Sequence, residues 1–249
     1  MAKQSGLGAG YYLDQFDLSN DTNSFGSISK SAAPIEMTGI YKLAFERIAG
    51  QLDGDMKWIS YLNPTNAHVG LSTLPRTDRI ASYFHRQTLA APVASMVTKQ
   101  TGYDPKRDAD GKLLIDVDAV ANASWLDWGY ALTAGKRVDT TATNGTGVDL
   151  NSLGFGFTTT ASFGAQAYLH VFAFTGTSVT IKIQDSADNV SFADLTGGAF
   201  TLVAGVTKER IQTGRTQTVR RYLRAVTTGT FSSVTFAVQA TVNIADLTI

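Results

Sequence analysis

The sequence predicts an all-β protein with one short helix, arranged as two β domains. Three observations carry that prediction. Ser178–Asp185 alternates Val179, Ile181 and Ile183 on one face with Thr180, Lys182 and Gln184 on the other. Val234–Asn243 repeats the pattern with Val234, Phe236, Val238, Ala240 and Val242 turned inward. A period of two marks a half-buried strand. Turn-forming residues then recur at the roughly 8–12-residue spacing of antiparallel sandwiches. Helical spacing is confined to one stretch, Asn66–Leu74.

The elements follow in order. Residues 1–10 (MAKQSGLGAG) are small and polar and read as a flexible arm. Tyr11–Leu18 is a strand candidate, followed by the turn-rich Ser19–Asn23. Ile35–Gly39 reads as a short strand ended by glycine. Asp53-Gly54 is a turn signal ahead of the strand Met56–Leu62. Asn66 can cap a helix that carries Val69, Leu71 and Leu74 as a partial apolar stripe and stops at Pro75. Arg79–Arg86 and Val93–Tyr103 are further strands. Asp104–Lys112 lacks the spacing of a calcium loop, with Lys106 and Ala109 at the third and sixth positions, and reads as a charged hairpin closed by Asp110-Gly111. Leu113–Val120 sets Leu113, Ile115, Val117 and Ala119 against a wetter face of Leu114, Asp116, Asp118 and Val120. Further on, Gln166–Phe174, Phe192–Leu195, Phe200–Val203, Lys208–Gln212 and Arg221–Thr227 complete a second set of short strands.

Composition places the seam. Nine threonines precede residue 140 and 22 follow from it, and all three tryptophans (Trp58, Trp125, Trp128) lie before it. The expected organisation is an arm over 1–10, a β domain over 11–137, a linker over 138–154 and a sandwich over 155–249.

Charge and composition exclude several classes of function. Lys plus Arg equals Asp plus Glu at 21 each, and both parts of the chain are separately balanced, so neither resembles a domain built to grip phosphate. No cysteine is present, which removes thiolate metal sites, disulfide scaffolds and thiol catalysis. No apolar run approaches the ~18 residues of a membrane helix, and the start has no apolar stretch of signal-peptide length, so a soluble chain folding in a cytoplasm is the expectation.

The search for chemistry finds little. His68, His85 and His170 are isolated, with no HExxH and no carboxylate in ligand register, and read as surface or packing histidines. There is neither a GxSxG elbow nor a phosphate loop. Asp53/Asp55 and Asp116/Asp118 are paired acids that a turn and a solvated strand face account for. Arg220, Arg221 and Arg224 form the basic cluster, with Tyr222 between Arg220 and Arg224. That cluster is a candidate outer-surface ligand contact or a strand with Arg stems over an aromatic ring. The expectation is a non-enzymatic protein without cofactor or metal.

Tyr12–Asn20, Ile35–Gly39, Phe45–Gly54 and Met56–Pro64 occur in an order that resembles the major tail tube proteins of long-tailed bacteriophages. The likeness covers roughly residues 11–130 and rests on glycines, turns and strand lengths. It implies a tail-tube-type β-sandwich or barrel domain followed by an immunoglobulin-like or jelly-roll sandwich. It further implies self-assembly into hexameric rings that stack into a tube in the virion tail, with tape measure, terminator and baseplate proteins as partners. Phage DNA would pass through without sequence-specific binding. By position in that family, Tyr41–Leu52 is the inter-ring loop, with Tyr41, Phe45 and Arg47 as anchors. Asp116 and Asp118 are the candidate lumen-facing residues. The rival readings are a capsid decoration or baseplate protein and a carbohydrate-binding module using Arg220, Tyr222 and Arg224 or Asp185–Asn189.

Overall fold

The alternating stretches at residues 178–185 and 234–243 belong to two much longer strands that pair with each other. The computed structural model describes residues 7–154 and 159–245. Its strands are β1 (Gly10–Leu13), β2 (Phe16–Asp17), β3 (Thr22–Glu36), β4 (Arg47–Tyr61), β5 (Arg79–Phe84), β6 (Pro92–Gln100), β7 (Asp104–Arg107), β8 (Leu113–Ala121), β9 (Asp127–Ala131), β10 (Arg137–Asp139), β11 (Val148–Asp149), β12 (Thr160–Ala161), β13 (Ala165–Ser186), β14 (Ala193–Ala199), β15 (Thr207–Gln212), β16 (Val219–Arg220) and β17 (Tyr222–Val242). One helix, α1 (Ala67–Leu71), interrupts them. The fold is all-β, with large antiparallel sheets, as the sequence predicts.

The chain divides into two compact units, and not at residues 138–154. One comprises Met1–Ser19, Ile80–Ser95 and Trp128–Ile249; the other comprises Asn20–Arg79 and Met96–Asp127. The expected linker is part of a sheet: Val138 lies opposite Thr235 and Val148 opposite Leu223, both on β17. Arg137 secures it, donating to both Asp139 carboxylate oxygens (2.8 and 2.6 Å) and to the carbonyl oxygens of Ala225 and Thr143 (2.9 and 3.1 Å). A small, polar composition therefore marked a turning segment, and its backbone hydrogen bonds make it structural. Of the expected arm, residues 1–6 lie outside the described residues. Gly10 already belongs to β1, and the Gly8 carbonyl accepts from the Gln87 amide at 3.1 Å.

In the first unit, β13 and β17 form the central pair. Leu169, Val171, Ile181 and Ile183 of β13 share one buried core with Leu223, Val234, Phe236 and Val238 of β17. Both halves of each strand thus line the same core. The ladder accommodates this through bulges near Val171/Ala173 and Gly176/Ser178 and through Gly176, at φ +145°, and Gly229, at φ +124°. A Cβ on Gly176 would stand 2.4 Å from the Phe231 Cα, so the close approach itself requires glycine. The opposite face of the pair is also covered. Tyr12, Phe84, Val93 and Ala131 pack with Ala237, and Phe172 joins them. Residues from the start, middle and end of the chain therefore build one core, which explains the discontinuous unit.

The second unit is built on the β3–β4 hairpin, with β4 paired to β8 and β8 to β7. Trp58 lies opposite Val117, and Met56, Trp58, Ile115, Val117 and Ala119 are buried. Three expectations are corrected here. Ile35–Gly39 is no separate short strand but the end of the 15-residue β3 and the start of its loop. Asp53-Gly54 is no turn but lies inside β4. A Cβ on Gly54 would fall 2.6 Å from the Leu126 Cβ, so packing and not chain reversal requires glycine. The helix is shorter than expected and buries Ala67, Gly70 and Leu71, leaving Val69 and Leu74 exposed. The Asn66 side chain does not cap α1. It donates to Asp21 at 2.7 Å, beside Asn63, which does the same at 2.9 Å. Buried Arg79 secures the helix from below, donating to the Gly70 carbonyl (2.7 Å) and to Gln100 Oε1 (2.6 Å). The charged hairpin appears as expected: β7 pairs with β8, and Gly111 at φ +83° completes the turn. On β8 the inward face holds for Ile115, Val117 and Ala119, but Leu113 is exposed and Leu114, expected on the wetter face, is buried.

Candidate functional site

The feature that stands out from this framework is the closed end of the β3–β4 hairpin. Facing residues there continue the ladder to Glu36 opposite Arg47. The Met37 amide then donates to the Glu46 carbonyl (2.9 Å) and the Glu46 amide to Thr38 Oγ1 (3.1 Å). A tight turn follows, with the Lys42 amide donating to the Gly39 carbonyl at 2.9 Å. Local hydrogen bonds thus give the tip a defined shape. The apolar side chains it displays have no core to enter: Tyr41 is 96% exposed, Leu43 107% and Phe45 66%, with Met37 and Ile40 beside them. Scattered exposed apolar residues are ordinary, but five within nine residues at a hairpin turn form a patch of the kind that marks an interaction surface. The charges at the tip are neutralised locally, Lys42 pairing with Glu46 at 2.8 Å, while the Arg47 guanidinium covers the Phe45 ring. Tyr41, Phe45 and Arg47, singled out from the sequence, are therefore brought together here. Met37, Ile40 and Leu43 were missed. Their signal was present as apolar residues recurring without strand alternation in a segment that also holds Gly39 and Lys42.

Asp116 and Asp118 lie on the wetter face of β8, as the alternation indicates. They do not stand alone. Lys106 reaches Asp116 at 2.6 Å, and Lys57 lies 3.8 Å from Asp118. The face is mixed in charge rather than acidic. Asp55 is also engaged, accepting from Ser27 Oγ.

The arginine cluster is not one strand face. Arg220 ends β16 and Arg224 belongs to β17. Each guanidinium is turned toward the protein. Arg220 donates to Asp185 Oδ1 through Nη2 (2.6 Å) and Nε (3.0 Å). Arg221 grips Asp149 with two bonds of 2.8 and 2.7 Å, which hold that carboxyl below its ordinary range, and it is Arg221 that lies over Tyr222, 5.0 Å from the ring centre. Arg224 donates to Gln184 and stacks over Phe192 at 3.9 Å. Engaged in this way, the cluster staples strands together; a ligand would have to displace those bonds.

His170 sits in a buried polar chain. Its Nδ1 faces the Asp14 carbonyl oxygen at 2.7 Å and its Nε2 faces Ser82 Oγ at 2.8 Å, which in turn meets Ser95 Oγ at 2.6 Å. A carbonyl only accepts, so Nδ1 carries the proton and Nε2 accepts from Ser82. Burial pushes the imidazole down to about 4, keeping it neutral. The Asp14 carboxylate accepts from the Ile80 amide (2.9 Å) and from Lys208 (2.6 Å). A serine beside a histidine resembles nucleophilic machinery, but both are buried and Nδ1 faces a peptide carbonyl rather than a carboxylate. The arrangement ties β1, β5, β6 and β13 together. Its trace in the sequence is slight: Tyr168, His170 and Phe172 alternate with Leu169 and Val171, giving a strand apolar on both faces with one imidazole in it. His68 makes a contact of 2.6 Å with the Tyr103 hydroxyl at an exposed site. Among the described residues no group of three or more His, Asp or Glu is disposed to hold a metal, and no helix is long and apolar enough to cross a membrane.

No protein-family model matches the chain, and no curated protein matches it. Among solved structures, it aligns with the crystal structure of the SPP1 Dit protein, described as a paradigm of the hub adsorption apparatus of phages infecting Gram-positive bacteria. That alignment covers 94% of this chain and 99% of the other, at 11% identity and a TM-score of 0.32. A likeness at that level carries no argument about fold or function.

Proposed function

We propose that the chain is a structural subunit of a phage tail that self-associates into stacked rings, forming a tube through which DNA passes. The observation that carries this reading is the exposed apolar tip of the β3–β4 hairpin. It overlaps the first half of the Tyr41–Leu52 segment that the sequence resemblance assigns to contact between rings, the other half of which, Arg47–Leu52, is not loop but β4, and Tyr41 and Phe45 are displayed rather than buried there. An apolar projection of this kind is costly to leave in water, and burying it on assembly returns roughly 1.5–3 kcal/mol per large side chain before ordering costs. Ring formation would involve sheet edges, and β3 pairs with β4 alone among the described strands. In such a tube the face bearing Asp116 and Asp118 would present balanced charge to the genome, because Lys106 and Lys57 accompany them. On this reading the protein works without catalysis or cofactor, in the virion tail, with tape measure, terminator and baseplate proteins as partners.

Negative-stain electron microscopy of the concentrated full chain tests the proposal. Stacked rings with an axial hole are the expected result, and a Leu43→Asp/Phe45→Asp variant should remain as single rings or monomers. Closed rings that never stack would make the chain a hub-type ring component instead. Compact particles that form neither rings nor polymers would overturn the reading.

A further inference from the structure

An apolar knob that drives open-ended assembly needs a receiving surface different from itself. Two tips meeting would form a closed two-fold pair and stop there; only a heterologous contact propagates. This inference rests on the proposed self-association and concerns where on a second copy the tip is seated.

The described residues offer two surface clefts as candidates. One lies on the β4–β8 face and is bordered by Lys57, Asp116 and Asp118. An apolar tip placed there would strip water from charged groups and give nothing back. The other lies in the first unit and, among the described residues, has no charged side chain in its lining. Trp128 and Tyr130 form one wall, alternating on β9 while Asp127 and Ala131 point to the buried side. Pro92, Leu153 and Ile244 complete it. The Tyr130 hydroxyl donates to the Leu153 carbonyl at 2.7 Å, which fixes the wall in place. Trp128 is 45% exposed and Ile244 64%, so the cleft is lined by apolar surface that the described residues leave uncovered. Its volume, about 290 Å³, is at the bottom of the roughly 300–1,000 Å³ range of small-molecule pockets and suits one or two inserted side chains better than a cofactor.

We infer that the cleft formed by Trp128, Tyr130, Pro92, Leu153 and Ile244 receives the hairpin tip of a second copy of this chain, with Leu43 and Phe45 as the inserted side chains. The match is one of polarity. At the tip Lys42 and Glu46 pair with each other, so apolar side chains rather than an unpaired Lys or Glu meet the uncharged recess. Aromatic residues stand on both sides of the contact, as at the energetic centres of interfaces.

The chain contains no cysteine, so engineered thiols report the contact cleanly. Leu43→Cys protein is mixed with Ile244→Cys protein under mild oxidation at high concentration. Both positions are exposed, so neither change disturbs a core. A mixed disulfide dimer is expected in about tenfold or greater excess over that formed with a control carrying Val190→Cys, another exposed position, because docking raises the effective concentration of the pair. The same samples are imaged. Rings or tubes without the mixed crosslink would overturn the assignment of the cleft while leaving the assembly reading intact. Leu43→Cys protein that crosslinks only with itself would establish tip-to-tip pairing and overturn it as well. The unsubstituted chain is imaged beside these samples, and its failure to assemble together with the absence of any crosslink would overturn the two together.

Discussion

The guanidinium of Arg47 lies 4.7 Å from the centre of the Phe45 ring, at the point where the chain leaves the hairpin tip and enters β4. The ring is thereby held against the strand with one face covered, and its remaining surface is turned to solvent. This arrangement presents Phe45 as an anchor already ordered before any contact is made, which lowers the entropy cost of association.

Phe45→Ala is therefore expected to weaken polymer formation strongly while leaving the fold alone, with a stability change within about 0.5 kcal/mol because the side chain is exposed. Arg47→Ala should weaken it less, by the roughly 0.5–1 kcal/mol of an exposed cation–π contact. Sedimentation of polymer against protein concentration, together with urea denaturation of the monomer, separates the two effects. Unchanged polymerisation of Phe45→Ala would remove this residue from the interface.

Acid should destabilise the protein through His170. Its imidazole titrates at about 4 in the folded state and at about 6.5 when unfolded. Between those values the unfolded chain binds the extra proton, so stability is complete above about pH 6.5 and declines as pH falls toward 4. Burial is the main cause, and the nearby Lys208 acts in the same direction, while the Asp14 carbonyl and carboxylate oppose it. The loss is on the order of 3 kcal/mol. Urea midpoints from pH 7 to pH 4 should fall less steeply for His170→Gln than for the natural chain; parallel slopes would show that this histidine does not govern the acid limb.

Two glycines of the same hairpin should behave oppositely. Gly54→Ala would force a Cβ to 2.6 Å from the Leu126 Cβ and 2.8 Å from its amide nitrogen, and should cost about 1–3 kcal/mol. Gly26→Ala meets nothing nearer than 3.7 Å and should be neutral or slightly stabilising. Thermal unfolding of the pair decides the point. Equal effects would mean that Gly54 serves the backbone rather than the packing.

Arg220→Ala should destabilise by about 1–3 kcal/mol, because it strips the buried Asp185 carboxylate of its guanidinium partner and leaves the backbone amide of residue 220 to satisfy it. Replacing both residues, as Asp185→Asn with Arg220→Gln, should recover part of that loss. A single variant that unfolds like the natural protein would show the pair to be dispensable.

Truncation after residue 137 should not release a folded first domain. Tyr12, Phe84 and Val93 would lose Ala237 and Phe172, against which they pack, and the core centred on β13 and β17 would disappear. The fragment is expected to lack near-ultraviolet circular dichroism from fixed aromatic packing. A fragment with a native-like spectrum would restore the division near residue 138.

Local readings of the sequence succeeded where a single period was sufficient. Val179, Ile181 and Ile183 are buried as their alternation requires, and Gly111 turns the charged hairpin as Asp110-Gly111 indicated. They failed where the cause lay far along the chain. Gly54 reads as a turn because its neighbour Leu126 is 72 positions away, and Asn66 reads as a cap because its true partner, Asp21, lies 45 residues back. The tip was legible in part. Tyr41, Phe45 and Arg47 were named by resemblance, whereas the exposure of Leu43 and Ile40 was established by seeing that no core reaches them.

By itself, then, the sequence determined the all-β class, the inward faces of its best-patterned strands, the lack of thiol chemistry and the balance of charge, because each depends on composition or on neighbours within a few positions. Tertiary structure alone decided that β13 and β17 bend around one core, that Arg220, Arg221 and Arg224 are turned inward to separate partners, and that the two units are assembled from interleaved stretches of chain. Strand pairing is made by backbone groups that are the same in every residue. Which strands meet is therefore settled by how the whole set of apolar faces can be buried at once.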